Sequence, residues 1–211
     1  MATRLSRVEQ VERNRARVLD AAREVFLARG YAGATLEAIA EHAGFSKGVV
    51  YSQFANKPDL FLTLLEQRID ERAEANIALA TGSGFEGLVQ LILANAQRSA
   101  NRQDWARLLI EFRIVAARDA ELNARYAHLH ARSRAGLADA IRTVLARGGL
   151  RAHPSAAALA DVFFAMDSGV TLERALDPAA VPDAMAEYVA RGFVFDNGVP
   201  TQGADHVQPA D

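Results

Sequence analysis

The sequence predicts an all-α protein. Past Lys57, apolar residues recur at helical intervals, with neither the two-residue alternation of a half-buried strand nor a repeat of fixed period. Gly- or Pro-bearing breaks divide the helical stretches at Thr81-Gly82-Ser83-Gly84, Arg147-Gly148-Gly149 and Asp177-Pro178. Half of the 211 residues are apolar, enough for a substantial core arranged as one small and one larger domain.

In the first segment, Phe26 to Lys57 carry two short helical patterns joined by Ala43-Gly44-Phe45-Ser46. Thr35 stands where an N-cap is wanted, and Glu37 places a carboxylate near the positive end of that helix. Leu36, Ile39, Ala40 and Ala43 follow at helical spacing. Gly44 supplies the left-handed residue of a tight turn, Phe45 is expected to plug the core, and Ser46 to cap the next helix through its side chain.

The second pattern, Ser46 to Phe54, has two faces. Val50 and Phe54 lie four apart and point inward with Phe45, whereas Lys47, Gly48, Val49, Ser52 and Gln53 point outward or to the side. A short helix with small, polar and basic outward residues suits a major groove. Lys47 can reach a guanine edge or a phosphate, Gln53 an adenine or a phosphate, and Gly48 admits close backbone approach. Tyr51 is expected at the groove edge. Asn56 then caps a further helix, with Pro58 in its first turn, Asp59 as capping-box partner, and Lys57 adding charge to an anion-friendly helix start.

Phe61, Leu65, Ile69, Ala73 and Ile77 define the long helix that follows. Phe85, Leu88, Val89, Ile92 and Ala96 mark the next. Trp105, Leu108, Leu109, Phe112 and Val115 mark another, and Leu122, Tyr126, Leu129, Leu137, Ile141 and Val144 a long one that closes at Arg147. Two more are expected, from about Pro154 to Leu176 and from about Pro182 to Phe195, before a disordered tail over 197–211. Leu159, Val162, Phe163, Phe164, Met166 and Val170, and then Val181, Met185, Tyr188, Val189, Phe193 and Phe195, cover more than one helix face, so both helices are expected to be buried on most sides.

Several function classes are excluded or weakened. Without cysteine there is no disulfide framework and no thiolate metal site. No stretch has the form of a signal peptide or the length of a membrane span, so a soluble cytoplasmic protein is expected. There is no P-loop, no nucleophile elbow and no His-Glu-x-x-His, so neither an enzyme nor a metal or cofactor is called for. His128 and His130 lie two apart on a helix and face different ways, which argues against a shared metal. Net charge is −2, but residues 1–60 hold nine Lys or Arg against seven Asp or Glu, a local excess of +2. Arg4, Arg7, Arg13, Arg15 and Arg17 precede the motif in a segment expected to flank a duplex, with an arm entering the minor groove or a frayed terminus as the two readings of Arg4 and Arg7.

The order Phe26-Leu27-Ala28-Arg29-Gly30-Tyr31, Ala34-Thr35-Leu36, Ile39-Ala40, Ala43 through Phe54 and Asn56-Lys57-Pro58-Asp59-Leu60-Phe61 resembles the tetracycline-repressor (TetR) family of bacterial regulators. The resemblance covers about the first third of the chain. It implies helix 1 from Arg15 to Arg29, helix 2 from Thr35 to Ala43 and a recognition helix from Ser46 to Phe54. Lys47, Val49 and Tyr51 match groove-contact positions, and Thr35, Gln53 and Lys57 match phosphate-contact positions. Ser46, Gly48 and Ser52 complete the candidate DNA-binding set. Ser52-Gln53 stand where relatives commonly carry an aromatic residue or histidine, and Phe45 replaces the usual valine.

The resemblance further implies a DNA-binding domain over 1–56, a ligand-binding and dimerisation domain over 57–196, and a homodimer formed through the last two helices, with Ala165, Ser168 and Gly169 allowing close approach. A dimer reads a palindromic double-stranded operator with recognition helices about one DNA turn apart. A small-molecule effector is implied in the larger domain, with Trp105, Leu109, Phe112, Tyr126, Phe163, Met166 and Asp167 as candidate lining and Glu111, His128 and His130 as further polar candidates. For any single one of the apolar residues, plain core packing is the stronger reading. The expected function is that of a ligand-responsive repressor, the helix after Lys57 carrying the ligand's effect to the DNA-reading unit. A helical adaptor that binds only protein is the alternative, and salt-insensitive behaviour on DNA would favour it.

Overall fold

The computed structural model describes residues 6–100, 103–151, 155–182 and 185. Among them the ordered elements are α-helices: α1 (Arg7–Gly33), α2 (Leu36–Ala43), α3 (Lys47–Tyr51), α4 (Lys57–Leu79), α5 (Gly84–Ala100), α6 (Gln103–Ala116), α7 (Ala120–Arg147) and α8 (Ala156–Leu176). Among the described residues the all-α expectation holds; the breaks at 81–84 and 147–149 fall between helices, and Asp177-Pro178 follows the end of α8. The helix expected from Pro182 to Phe195, the tail over 197–211 and Arg4 lie outside the described residues, apart from Pro182 and Met185.

The described residues form two compact units, one within 1–72 and 102–132 and the other within 73–101 and 133–185. In the first, α1 packs on α2 and α6, and α2 on α3. Its core runs from Val18 and Phe26 through Ile39, Val50, Phe54 and Phe61 to Trp105, Phe112 and Tyr126. The Phe61 ring lies 4.3 Å from that of Phe112 and 5.2 Å from those of Phe26 and Tyr31, so one aromatic cluster joins α1, α4 and α6. In the second unit, Leu88, Leu91, Leu137, Ile141, Val144, Ala160 and Phe163 form the core, and α5 packs on α8.

Helix α1 differs from expectation at both ends. It begins at Arg7 and not Arg15, because Ser6 and Glu9 form a reciprocal capping box. Its regular course breaks at Gly30, which adopts φ 70°, ψ 173°, a region essentially confined to glycine. The freed N–H of Tyr31 donates to Glu111 Oε2 at 2.8 Å, and a Cβ on Gly30 would lie 2.8 Å from that same oxygen. Glu111, a candidate for ligand binding from sequence, is here a latch between α6 and the end of α1.

In the first unit α4 and α7 are laced by ion pairs in constant register: Arg125 to Asp59 at 2.9 Å, and seven residues on, Arg132 to Glu66 at 2.6 Å and to Asp70 at 2.7 Å. Two apolar assignments need correction. Ile77 and Val115 sit at helical spacing with core residues, yet both are exposed, and at the end of α6 the core is filled by Ala116 instead. The helical period locates a stripe but not where the neighbouring helix stops covering it.

Candidate nucleic-acid interface

Helix α2 is built by local chemistry. Thr35, extended at φ −130°, ψ 155°, accepts from the Ala38 N–H through its side chain. At the other end Gly44 is left-handed at φ 70°, and Phe45 N–H reaches back to the Ala40 carbonyl at 2.9 Å while Gly44 N–H reaches Glu41 at 3.1 Å. This pair of bonds satisfies the last carbonyls of α2 and turns the chain sharply into α3.

Helix α3 is shorter than the expected Ser46–Phe54. It spans Lys47–Tyr51, and Ser52 and Gln53 continue as a turn. Ser46 occupies the N-cap position in extended conformation, but its side chain makes no capping hydrogen bond, which corrects the expected cap. Five residues cannot sustain a helix alone, so its position is imposed by packing. Val50 and Phe54 are fully buried beneath it, as the spacing indicates. Phe45 packs against the core as expected but is only partly buried, with the Arg17 guanidinium 4.5 Å above its ring.

Two arginines of α1 hold this motif. Arg15 donates to the Gln53 carbonyl at 3.3 Å and lies 4.5 Å over the Phe54 ring, while Arg17 donates to the Ala43 carbonyl at 3.0 Å. Each therefore donates to one backbone carbonyl at or just past a helix end and covers an aromatic ring. Sequence reasoning placed both in a segment flanking the duplex. Their guanidinium groups are instead engaged within the protein, while Arg7 and Arg13 remain on the exposed part of α1.

The outward surface gathers most of the expected DNA-binding residues. Thr35, Ser46, Lys47, Gly48, Tyr51 and Ser52 are exposed, and Val49 is half-buried. Tyr51 is 49% exposed, and its hydroxyl donates to Glu37 Oε1 at 3.1 Å. The Lys47 ammonium lies 3.6 Å from that same oxygen. The Glu37 carboxyl is held below its usual range, first by its own backbone N–H and then by the Tyr51 hydroxyl, with Lys47 adding to both. The Tyr51 phenol is pushed up, chiefly by its bond to Glu37. Ser52 Oγ donates to the Val49 carbonyl at 2.9 Å, and a Cβ at Gly48 would meet nothing closer than 3.9 Å, so no neighbour within the protein demands glycine there.

Two residues of the set are placed differently. Gln53 is half-buried, and its Oε1 is enclosed without a hydrogen-bond partner. Lys57 directs its ammonium inward, donating to the carbonyls of Tyr31, Ala32 and Ala34 at 2.8, 3.3 and 3.0 Å and lying 4.6 Å from the Tyr31 ring centroid. Burial pulls its pKa down. All three ammonium hydrogens thus have acceptors inside the fold, and a phosphate contact has to compete with them. At the start of α4, Asn56 caps the helix by accepting from Asp59 N–H at 2.8 Å, and Asp59 accepts from Ala55 N–H, one residue before the expected partner.

The candidate ligand residues divide between the two cores. Trp105, Phe112 and Tyr126 are buried in the first, with Leu109 packed against it. Trp105 stacks on Phe61 at 6.1 Å, the Arg68 guanidinium lies over the Trp105 ring at 4.5 Å, and Tyr126 meets Phe112 at 5.5 Å. Phe163 belongs to the second core, and Met166 and Asp167 are half-buried on α8. His128 is exposed, whereas His130 stacks on Tyr126 at 5.9 Å. What sequence reasoning missed is Glu37 as the holder of Tyr51 and Lys47. Fourteen residues separate Glu37 from Tyr51, and no local period connects them.

Comparison with known proteins agrees with this geometry. Residues 18–64 match the model of the TetR-family bacterial regulatory proteins, and residues 85–196 match the C-terminal domain of BetI-type transcriptional repressors. The repressor AcnR of Corynebacterium efficiens is 28% identical over 134 residues, 64% of this chain and 65% of that protein. The chain spans between 27% and 65% of the length of the first two curated relatives it matches. Among solved structures, a TetR-family protein of Mesorhizobium loti superposes with TM-score 0.72 at 21% identity, covering 92% of this chain and all of that one. FadR of Bacillus subtilis, solved in complex with stearoyl-CoA, superposes with TM-score 0.64 at 18% identity, covering 83% of this chain and 95% of that one. With family models matched at both ends and a helix-turn-helix built as described, the chain belongs to the TetR family of bacterial regulatory proteins.

Proposed function

We infer that this protein is a ligand-responsive transcriptional repressor that binds a palindromic double-stranded operator as a homodimer and leaves it when a small-molecule inducer binds. The observation that carries the reading is α3: a five-residue helix, rigidly seated by Val50, Phe54, Arg15 and Arg17, whose outward side offers Lys47, Gly48 and Tyr51. Sites built on supported elements keep the geometry that base reading requires. In this reading Lys47, Val49 and Tyr51 face the groove and Thr35, Ser46, Gly48 and Ser52 let the backbone approach phosphates. Gln53 and Lys57 contribute after rearrangement, since both are engaged or enclosed in the free protein.

Dimerisation is supported by α8. Ala165, Gly169, Leu172 and Leu176 recur at helical spacing on its exposed side, Leu172 at 50% and Leu176 at 87% exposure, and a Cβ at Gly169 would touch nothing within 4 Å. Apolar residues of this size on one helix stripe favour a partner helix. Two copies place two recognition helices on one duplex, and a site in the cytoplasm follows from that partner.

Ligand response is supported by the relatives: AcnR carries the name of a repressor, and the FadR structure holds stearoyl-CoA. The effector region is proposed in residues 57–196, with Trp105, Leu109, Phe112 and Tyr126 or Phe163, Met166 and Asp167 lining it. Helix α4 contributes to both compact units and is the element through which ligand acts on the first. A ligand that favours the low-affinity state by ~3 kcal/mol weakens operator binding on the order of a hundredfold, and bound DNA weakens ligand binding by the same factor.

Selection from a pool of random duplexes at physiological salt tests the reading. Wild-type protein is expected to enrich a palindromic motif, and Lys47→Ala and Tyr51→Ala to lose it. No enrichment, or enrichment indifferent to both substitutions, overturns it in favour of an adaptor.

A further inference from the structure

We propose that Glu37 is a specificity-determining residue that restrains non-specific DNA binding by holding Tyr51 and Lys47 on one carboxylate oxygen until a matching sequence displaces it. The proposal rests on the DNA-binding reading above. Glu37 lies on α2, while the two groups it holds belong to α3, the helix that faces the duplex. Its Oε1 accepts from the Tyr51 hydroxyl at 3.1 Å and stands 3.6 Å from the Lys47 ammonium. All three side chains are substantially exposed, so these contacts are not burial constraints on folding, and an exposed ion pair of this kind contributes little to stability.

Their consequence is instead electrostatic. Non-specific binding to a duplex is driven by cations that release counterions from phosphates, and each cation so used adds close to one unit to the salt dependence. In the free protein the one cationic side chain of α3 is paired with a carboxylate in the first turn of α2. A featureless run of phosphates gains Lys47 only by separating it from Glu37, and it then lies near an unpaired negative charge, which is unfavourable. A base edge that accepts from Lys47 or Tyr51 compensates for that separation, whereas a mismatched one leaves a polar group unpaired. Glu37 also sets the Tyr51 ring orientation before contact, which lowers the ordering cost of the matched complex.

The test measures equilibrium binding of wild type, Glu37→Gln and Glu37→Ala to the selected duplex and to a scrambled duplex of the same length and composition, over a salt series, with thermal unfolding of each variant. Glu37→Gln keeps the oxygen that receives the Tyr51 hydroxyl but removes the charge. It is expected to bind scrambled DNA about fivefold to tenfold more tightly with a salt slope steeper by about one, and to lose specificity ratio to the same extent. Glu37→Ala is expected to show this gain and, having lost the Tyr51 acceptor, weaker binding to the selected duplex. Unchanged scrambled-DNA affinity in Glu37→Gln at unchanged melting temperature, or equal weakening on both duplexes, overturns the assignment. If wild type binds neither duplex, the DNA-binding reading itself fails, and this inference with it.

Discussion

Glu111 accepts the backbone N–H of Tyr31 at 2.8 Å, across eighty positions of sequence, at the point where α1 breaks its helical course. The Gly30 conformation and the Glu111 acceptor are parts of one joint. A side chain at Gly30 meets both a positive φ and the carboxylate itself. Gly30→Ala is therefore expected to destabilise the protein by about 1–3 kcal/mol. Glu111→Ala, which orphans one N–H, should cost about 1–2 kcal/mol, and Glu111→Gln, which keeps an acceptor, should cost less. Urea unfolding of the three variants checks this order; Glu111→Gln as damaging as Glu111→Ala would show that charge and not acceptance holds the joint.

Lys57 closes the same end of α1 from the other side. Its ammonium serves three carbonyls between Tyr31 and Ala34, so Lys57→Met leaves them without that donor while keeping the aliphatic stem. A loss of about 1–3 kcal/mol is expected in chemical denaturation. Stability equal to wild type would contradict the inward placement and return Lys57 to the set of freely available phosphate contacts.

The two serine or threonine N-caps of the motif are expected to separate. Thr35→Ala removes a side-chain bond to Ala38 N–H and should cost about 1 kcal/mol. Ser46→Ala removes no capping bond, so its stability should stay within about 0.5 kcal/mol of wild type while its DNA affinity falls if Ser46 meets phosphate. Paired thermal melts and binding isotherms resolve the two effects, and equal destabilisation by both substitutions would contradict the observed difference in capping.

Alkaline pH should weaken the first unit through Tyr31. Its phenol, ordinarily at 10.0, is pushed up to about 12 by burial, and that of Tyr126 is pushed up by burial against a smaller opposing effect of Arg113. Because the folded state holds the Tyr31 proton more tightly than the unfolded state, the stability tied to it is fully present below pH 10.0 and is lost as pH rises towards about 12. Tyr31→Phe should show a shallower fall in melting temperature over that interval. An identical alkaline profile in the variant would refute the contribution.

What the sequence made legible follows from the range of each interaction. Thr35, Gly44 and Asn56 were readable because a cap or a left-handed turn is decided within four residues. Buried Val50 and Phe54 were readable from their spacing of four. The shorter α3 and the uncapped Ser46 were not, because a five-residue helix is shaped by what packs against it. Arg15, Arg17, Lys57 and Glu111 act on partners 23 to 80 residues away, and their charge alone suggested ligand or DNA, while Glu37, read only as a carboxylate at a helix start, acts on Lys47 and Tyr51 of the next helix. The family resemblance marked the segment that forms α3, but not the internal bonds that hold its side chains.

In the proposed function two copies of α3 read two half-sites on one face of the duplex. The most direct measurement compares equilibrium binding to the selected palindrome with binding to the same duplex carrying an insertion of about five base pairs at its centre, which rotates one half-site by roughly half a turn. The insertion is expected to reduce binding to near the level of scrambled DNA while each half-site remains intact. Equal affinity for both duplexes would contradict it.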